Sequence, residues 1–271
     1  MKVLPFFEFS LYQMFLIFCF WSFVGWGIEV CYMTLETGEY QNRGFFNMPF
    51  CPIYGVGVIL VVTLLRPIQH TIILLFVTSS LFCTAFELAV GLAMEKIFHN
   101  RWWDYSHEKF NYKGLICLSH TIYWGLGCTF LLRVIQPIIV KGINFMPVPA
   151  GLVFIVIMSI LIIVDFIVSV STVAHLNERL KQIDELSKLL IKNSILIGSN
   201  ISEETLEIKA RYDKLVNNLD NATKRIIKAF PNIKSVTYTD AMEMLKGKIN
   251  SNAVVDKIKT GISKINQKST K

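Results

Sequence analysis

RGFFNMPFCPIYGVG, residues Arg43 to Gly57, stands where a second membrane-crossing helix would have to begin. The apolar run after Pro52 lasts only 13 residues, Ile53 to Leu65, before Arg66 and Pro67 stop it. At about 1.5 Å rise per residue that is roughly 20 Å, short of the ~30 Å hydrocarbon core of a bilayer. The chain from about Arg43 must therefore supply the missing depth, and Pro49 and Pro52 donate no backbone hydrogen bond there. Irregular backbone at that depth is tolerated only where it is packed in protein or lines a cavity. In transporters, a short helix interrupted by Gly and Pro points to the substrate site. Pro49, Cys51, Pro52, Tyr54, Gly55 and Gly57 are the residues of this broken helix that matter most.

The rest of the chain fits a membrane protein. Of 271 residues, 53% are hydrophobic and the mean hydropathy is +0.48, too apolar for a soluble domain of this size. Charge is split sharply. Residues 1–174 hold 9 basic and 9 acidic residues, whereas 175–271 hold 18 and 11 and carry the whole net +7. The expected domains are thus a membrane domain, 1–174, and a basic helical tail, 175–271. The N-terminus reads as an uncleaved span, because its apolar run continues to about Met33 with no small-residue cleavage site early in it.

Five hydrophobic segments follow: about Phe9–Met33, Phe45–Leu65, Thr71–Phe98, Leu115–Val140 and Val148–Ala174. All but the second are long enough to cross alone. With the tail inside, nine Lys and Arg flank the inner ends (Arg43, Lys96, Arg101, Lys109, Lys113, Arg179, Lys181, Lys188, Lys192). Four flank the outer ends (Lys2, Arg66, Arg133, Lys141). The bias places the N-terminus outside and the C-terminus in the cytoplasm. Trp102, Trp103 and Tyr105 would then form an inner aromatic belt. If residues 43–65 re-enter instead of crossing, four spans remain.

The fold class is therefore all-α: a polytopic membrane protein of about five transmembrane helices, the second discontinuous, with a cytoplasmic helical-hairpin tail. In the tail, Leu176, Leu180, Ile183 and Leu190 keep helical spacing, and Gly198, Ser199 and Asn200 mark a turn. A second helix is expected over Glu203–Ala229. There Ile208, Tyr212, Leu215, Leu219, Ala222 and Ile226 form a seam for a hairpin or short coiled coil. A short helix is expected near Thr239–Lys248, and disorder over the last ~15 residues.

Ionisable side chains within spans are functional candidates by default, because a charge there costs roughly 2.5–3.5 kcal/mol on insertion scales. Glu87, near the middle of the third span, is the strongest. Glu29 lies one turn from its span end, and Asp165 lies near the tail. A structural role, with Glu29 or Glu87 paired to Arg43, competes with a proton- or substrate-coupling role. Cys117 and His120 share a helix face, but two ligands do not make a metal site, and His99 and His107 in a loop are no stronger. The six cysteines read as small buried hydrophobes. No phosphate-binding Gly-x-x-x-x-Gly-Lys-Ser/Thr, no Gly-x-Ser-x-Gly and no His-Glu-x-x-His occurs, so no nucleotide hydrolysis by a P-loop, no enzyme fold and no cofactor is indicated. The basic tail reads as attracted to anionic lipid, at about 1 kcal/mol per basic residue near the surface, and not to nucleic acid.

Two blocks carry a family resemblance. The first is Phe20-Trp21-Ser22-Phe23-Val24-Gly25-Trp26 with Glu29, Asn42-Arg43-Gly44-Phe45 and Cys51-Pro52-Ile53-Tyr54-Gly55. The second is Glu87, Glu95-Lys96, Arg101-Trp102-Trp103-Asp104-Tyr105-Ser106, Phe110-Asn111 and Gly114. Together they resemble the putative ABC-transporter type IV, or CmpB-like, family over about Phe15 to Pro137. The resemblance implies a bacterial integral membrane protein proposed as a permease component. It marks Glu29, Arg43, Glu87, Trp103, Asp104 and Tyr105 as pattern residues with polar or interfacial character.

Two main functional readings follow. In the first, the chain is a permease-like component in which Glu29, Arg43 and Glu87 form a buried charge cluster lined by the broken helix. As an ABC permease it would need a separate ATPase subunit and a second permease copy. In the alternative it is a membrane scaffold or regulator whose tail recruits a partner or forms a homodimer. An intramembrane enzyme acting on lipid through Glu87 and the Trp103-Asp104-Tyr105 face is a third and lesser reading.

Overall fold

The structure, a computed structural model, describes residues 9–196 and 203–251. Lys2, the turn at 198–200 and the C-terminal stretch expected to be disordered lie outside the described residues. The architecture is all-α. Four helices are long and apolar enough to cross a membrane, and a shorter apolar helix, Pro52–Ile68, lies between the first two.

The first compact unit comprises residues 1–97 and 102–171. Helix α1 (Leu11–Thr37) begins at a capping box, in which Ser10 accepts from the Gln13 amide and Gln13 accepts from the Ser10 amide. It stops at Gly38, left-handed at φ 73°, whose amide donates to the Thr34 carbonyl. Helix α2 (Pro52–Leu65) starts with proline in its first turn, where no amide partner is lost. A single 3₁₀ turn, Arg66–Ile68, closes it.

α2 runs antiparallel along α1. At one end the Cys51 amide donates to the Ser22 carbonyl at 2.9 Å; at the other, Arg66 lies over the Phe9 ring. The approach is very close. A Cβ on Gly55 would overlap Ser22 and the Phe18 carbonyl, and one on Gly25 would overlap the Tyr54 ring. Small residues that let backbones meet are how helices associate in lipid, where hydrophobic burial gives no drive. Above Ser22 the non-helical chain continues along α1, with Asn42 on Trp26 and Arg43 on Glu29. Helix and irregular segment together follow α1 from Glu29 to Leu11, roughly 27 Å of helix axis. The broken segment thus supplies the depth that α2 lacks.

Helix α3 (Ile72–Phe98) is followed by a loop that folds back on the bundle. Helices α4 (Leu118–Phe130) and α5 (Gln136–Phe145) are joined by one π turn, Leu131–Ile135. Pro137 explains it: the proline has no amide for the carbonyl four residues earlier and its ring would strike that carbonyl, so the helix widens. Buried Trp21 donates to Gln136 at 3.0 Å, and Gln13 donates to Asn144 at 2.8 Å, fixing α1 to α5. Helix α6 (Val148–Leu196) begins here, with apolar side chains such as Val156, Ile160, Ile163 and Ile167 exposed as lipid-facing residues are.

The second unit contains residues 98–101 and everything from Thr172 onward. Leu176, Leu180 and Ile183 of α6 are fully buried, as are Ile226, Ile233, Met242 and Leu245. Helix α7 (Glu203–Asn217) folds back on α6: Asn193 meets Thr205 at 3.5 Å, and Arg179 donates to the carbonyls of Leu215 and Asn218 at 3.2 and 2.8 Å. The continuous helix expected over Glu203–Ala229 is in fact two. Asp220 caps helix α8 (Asn221–Ala229), accepting from the Thr223 amide at 2.7 Å, and Arg179 takes the carbonyls freed by the break. Residues 239–251 are helical. Strands β1 (Asn100–Arg101) and β2 (Lys234–Ser235) pair antiparallel, a piece of structure that nothing in the sequence pattern announces.

The α1–α2 crossing yields a test. Gly55→Ala should destabilise the protein by about 1–3 kcal/mol through overpacking. Gly27→Ala, where a Cβ meets nothing within 4 Å, should be neutral or slightly stabilising. Thermal unfolding of the two variants in detergent reads the difference, and equal melting temperatures would refute the close approach.

Candidate functional site

The site is built at the end of the first unit where α1 and α3 finish. Two irregular segments fold in there, residues 39–51 and the loop after α3. They meet where the Phe45 ring packs edge-on against Trp102, with centroids 5.4 Å apart. Trp102 is only 3% exposed, so it is not part of a lipid-facing belt; it is a plug between the two segments. Trp103 is likewise turned inward, its indole donating to the Leu115 carbonyl at 2.9 Å.

One half of the site belongs to α1, the broken segment and α2. Arg43 pairs with Glu29 at 3.0 Å. Tyr54, on the first turn of α2, donates its hydroxyl to the other Glu29 oxygen at 2.5 Å. Gly25 leaves room for the Tyr54 ring one turn before Glu29. A carboxylate held by a guanidinium and a phenol has both oxygens satisfied and its charge compensated.

The other half belongs to α3, α4 and the loop. Glu87 is buried, 8% exposed. It accepts from the Trp124 indole of α4 at 3.1 Å and from the Tyr105 hydroxyl at 3.4 Å. Glu87 is eleven residues from the end of α3, roughly 16 Å along the axis, so the loop re-enters by that depth. Tyr105 stacks on His120, centroids 4.2 Å apart, and His120 Nδ1 lies 3.0 Å from Cys117 Sγ. Burial, reinforced by the Glu87 and Glu29 carboxylates, pushes the Tyr105 phenol well above its ordinary range, so it remains a hydroxyl donor. The halves join where the Tyr54 ring meets Trp124 edge-on, centroids 5.9 Å apart.

The sequence-selected residues sort clearly. Glu29, Arg43 and Tyr54 come together, as do Glu87 and Tyr105. Asp104 folds its own loop by accepting from the Ser106 amide at 3.0 Å and from the Ser106 hydroxyl. Pro49 is exposed, Cys51 is buried with Sγ on the Arg43 carbonyl at 3.5 Å, and Gly57 lies beside Phe86. Asp165 binds the irregular segment of its own unit. It accepts from the Asn47 amide and side chain at 3.0 and 2.7 Å and from the Met48 amide at 2.8 Å. Trp124 and Asn47 were not singled out from the sequence. The only prior signal for Trp124 is that an indole N–H within an apolar span needs an acceptor. Among the described residues no group of three or more His, Cys, Asp or Glu is arranged to hold a metal ion.

The profile of the putative ABC-transporter type IV family matches residues 16–170, more than half of the chain. The chain belongs to this family. The family region contains every residue of both half-sites and extends past the two sequence blocks to include Asp165. It makes the chain a membrane protein of a transport-related family. No curated protein and no solved structure matches the chain.

Asp165 is the anchor of the irregular segment, and hydrogen bonds to a charged group contribute about 1.5–3 kcal/mol. Asp165→Ala should release residues 47–48 and raise the alkylation rate of buried Cys51 by roughly tenfold or more, the rate equivalent of about 1.4 kcal/mol. Mass spectrometry of maleimide-treated membranes reads that rate, and an unchanged rate would show that the anchor is dispensable.

Proposed function

We propose that the chain is a permease-like component of a transport system, and that its working region is the joined site Arg43–Glu29–Tyr54–Trp124–Glu87–Tyr105. The observation that carries this reading is the buried Glu87 at the middle of an apolar helix, reached by a loop from outside that helix and bordered by a broken one. A purely structural ion pair would be served by Glu29 and Arg43 alone. Glu87 adds a second carboxylate that membrane insertion penalises. Re-entrant, non-helical chain beside it is the usual construction around a transported solute. The family membership supports a transport role.

As an ABC permease the chain works with a separate ATPase subunit and a second permease copy, since its few spans enclose little. The N-terminus is outside, the tail is cytoplasmic, and the basic tail lies near anionic lipid. The alternative reading, a scaffold recruiting partners through the tail seam, is less favoured. Of the seam, Leu219 and Ile226 are already buried within the chain, as are Leu176, Leu180 and Ile183 of α6, while Ile208, Tyr212, Leu215 and Ala222 are partly buried.

Two experiments test the proposal. In a strain lacking the chain, a panel of ions and small solutes identifies the solute whose accumulation changes. Glu87→Gln should then lower that transport at least tenfold with unchanged protein level, and unaltered transport removes Glu87 from the function. For orientation, single cysteines replacing Arg66 and Lys141 should be labelled from outside intact cells, and one replacing Ser251 should not. The reverse pattern would invert the assignment.

A further inference from the structure

We infer that Glu87 is a reversible proton-binding site, so that the transport proposed above is coupled to proton movement. The inference rests on that reading for its purpose and on local geometry for its chemistry. Glu87 Oε2 accepts from the Trp124 indole, a group that can only donate and so offers no acceptor to a proton on that oxygen. Oε1 faces the Tyr105 hydroxyl. A phenol both donates and accepts: it donates to a carboxylate and accepts from a carboxylic acid. The same side chains therefore satisfy Glu87 in either protonation state, with only a hydroxyl rotation between them.

No cation pairs with Glu87 among the described residues. The Arg43 guanidinium is engaged by Glu29. The ionisable groups around Glu87 are Tyr105 from the loop, His120 and Cys117 from the start of α4, Tyr54 from α2, Glu29 with Arg43, and Cys83 from α3 itself with its neighbour Cys128 at 3.4 Å. None of these is a counterion of Glu87. A metal cation is a poor occupant, because hard divalent cations want about six oxygen ligands and Glu87 and Tyr105 offer few.

Access is also laid out. Tyr105 leads from Glu87 to the loop end of the bundle, where His120 stacks on it and contacts Cys117. One turn further into α3, Thr84 donates to Thr121 at 2.9 Å, and the Cys83–Cys128 contact follows. Exchangeable protons thus line the α3–α4 seam on both sides of Glu87. Uptake forms the Glu87 Oε1–H bond as a hydronium ion from the aqueous side loses a proton and becomes water; release is the reverse, and Tyr105 keeps its own proton while its hydroxyl turns from donor to acceptor.

The test is infrared difference spectroscopy of the full chain in lipid bilayers, between about pH 9 and about pH 5, a window that excludes most ordinary carboxylates. A protonated-carboxyl band should appear on acidification and be absent in Glu87→Gln. A band of equal size in Glu87→Gln, or no band in the natural chain, would overturn the inference. If Glu87→Gln does not insert, Tyr105→Phe decides. Loss of the phenol should shift the band to higher frequency, and an unshifted band overturns the inference. Transport that fails in Glu87→Gln while no band is found leaves the permease reading standing and removes the proton. A Glu87 band with undiminished transport in Glu87→Gln does the reverse.

Discussion

Unpaired backbone is what the structure must resolve between Gly38 and Cys51. Apolar surroundings offer no water to a free amide or carbonyl, so each such group needs a partner from the protein. Asp165 takes two amides, Asn42 donates to the Asn47 carbonyl at 2.8 Å, and Ser22 accepts from Cys51. The partners come from α1, α6 and the segment itself. The position of the start of α6 in its unit, the close crossing of α1 and α2, and the seat of Arg43 all follow from meeting that demand.

The site inherits its asymmetry from this arrangement. Glu29 faces the irregular segment and is neutralised by Arg43, which that segment carries. Glu87 faces α4 and the loop after α3, and its hydrogen-bond partners, the Trp124 indole and the Tyr105 hydroxyl, are neutral donors. Two carboxylates of the same type thus hold different electrostatic positions, and the edge-on contact of Tyr54 and Trp124 is the mechanical link between them.

Much of this was legible in the sequence, and the reasons are physical. The broken helix could be read because a bilayer sets a length that Ile53–Leu65 does not reach. Glu29, Arg43 and Glu87 stood out because charge in an apolar run is expensive. Asp165 was seen as charged but not as an anchor, because its partners are backbone amides, which every residue has and no pattern marks. The break at 218–220 was hidden by a seam whose spacing continues across it, while the Asp220 cap needed Arg179, distant in sequence, to hold the freed carbonyls. Trp103, Asp104 and Tyr105 are adjacent, yet Trp103 donates to the Leu115 carbonyl, Asp104 accepts from Ser106 and Tyr105 donates to Glu87. Loop geometry decides that, and loop geometry has no period to read.

The π turn at Leu131–Ile135 has a consequence of its own. It stores one residue more than an α-helical turn requires. One span therefore presents its two ends to different helices: Trp124, before the turn, donates to Glu87 of α3, and Gln136, after it, accepts from Trp21 of α1.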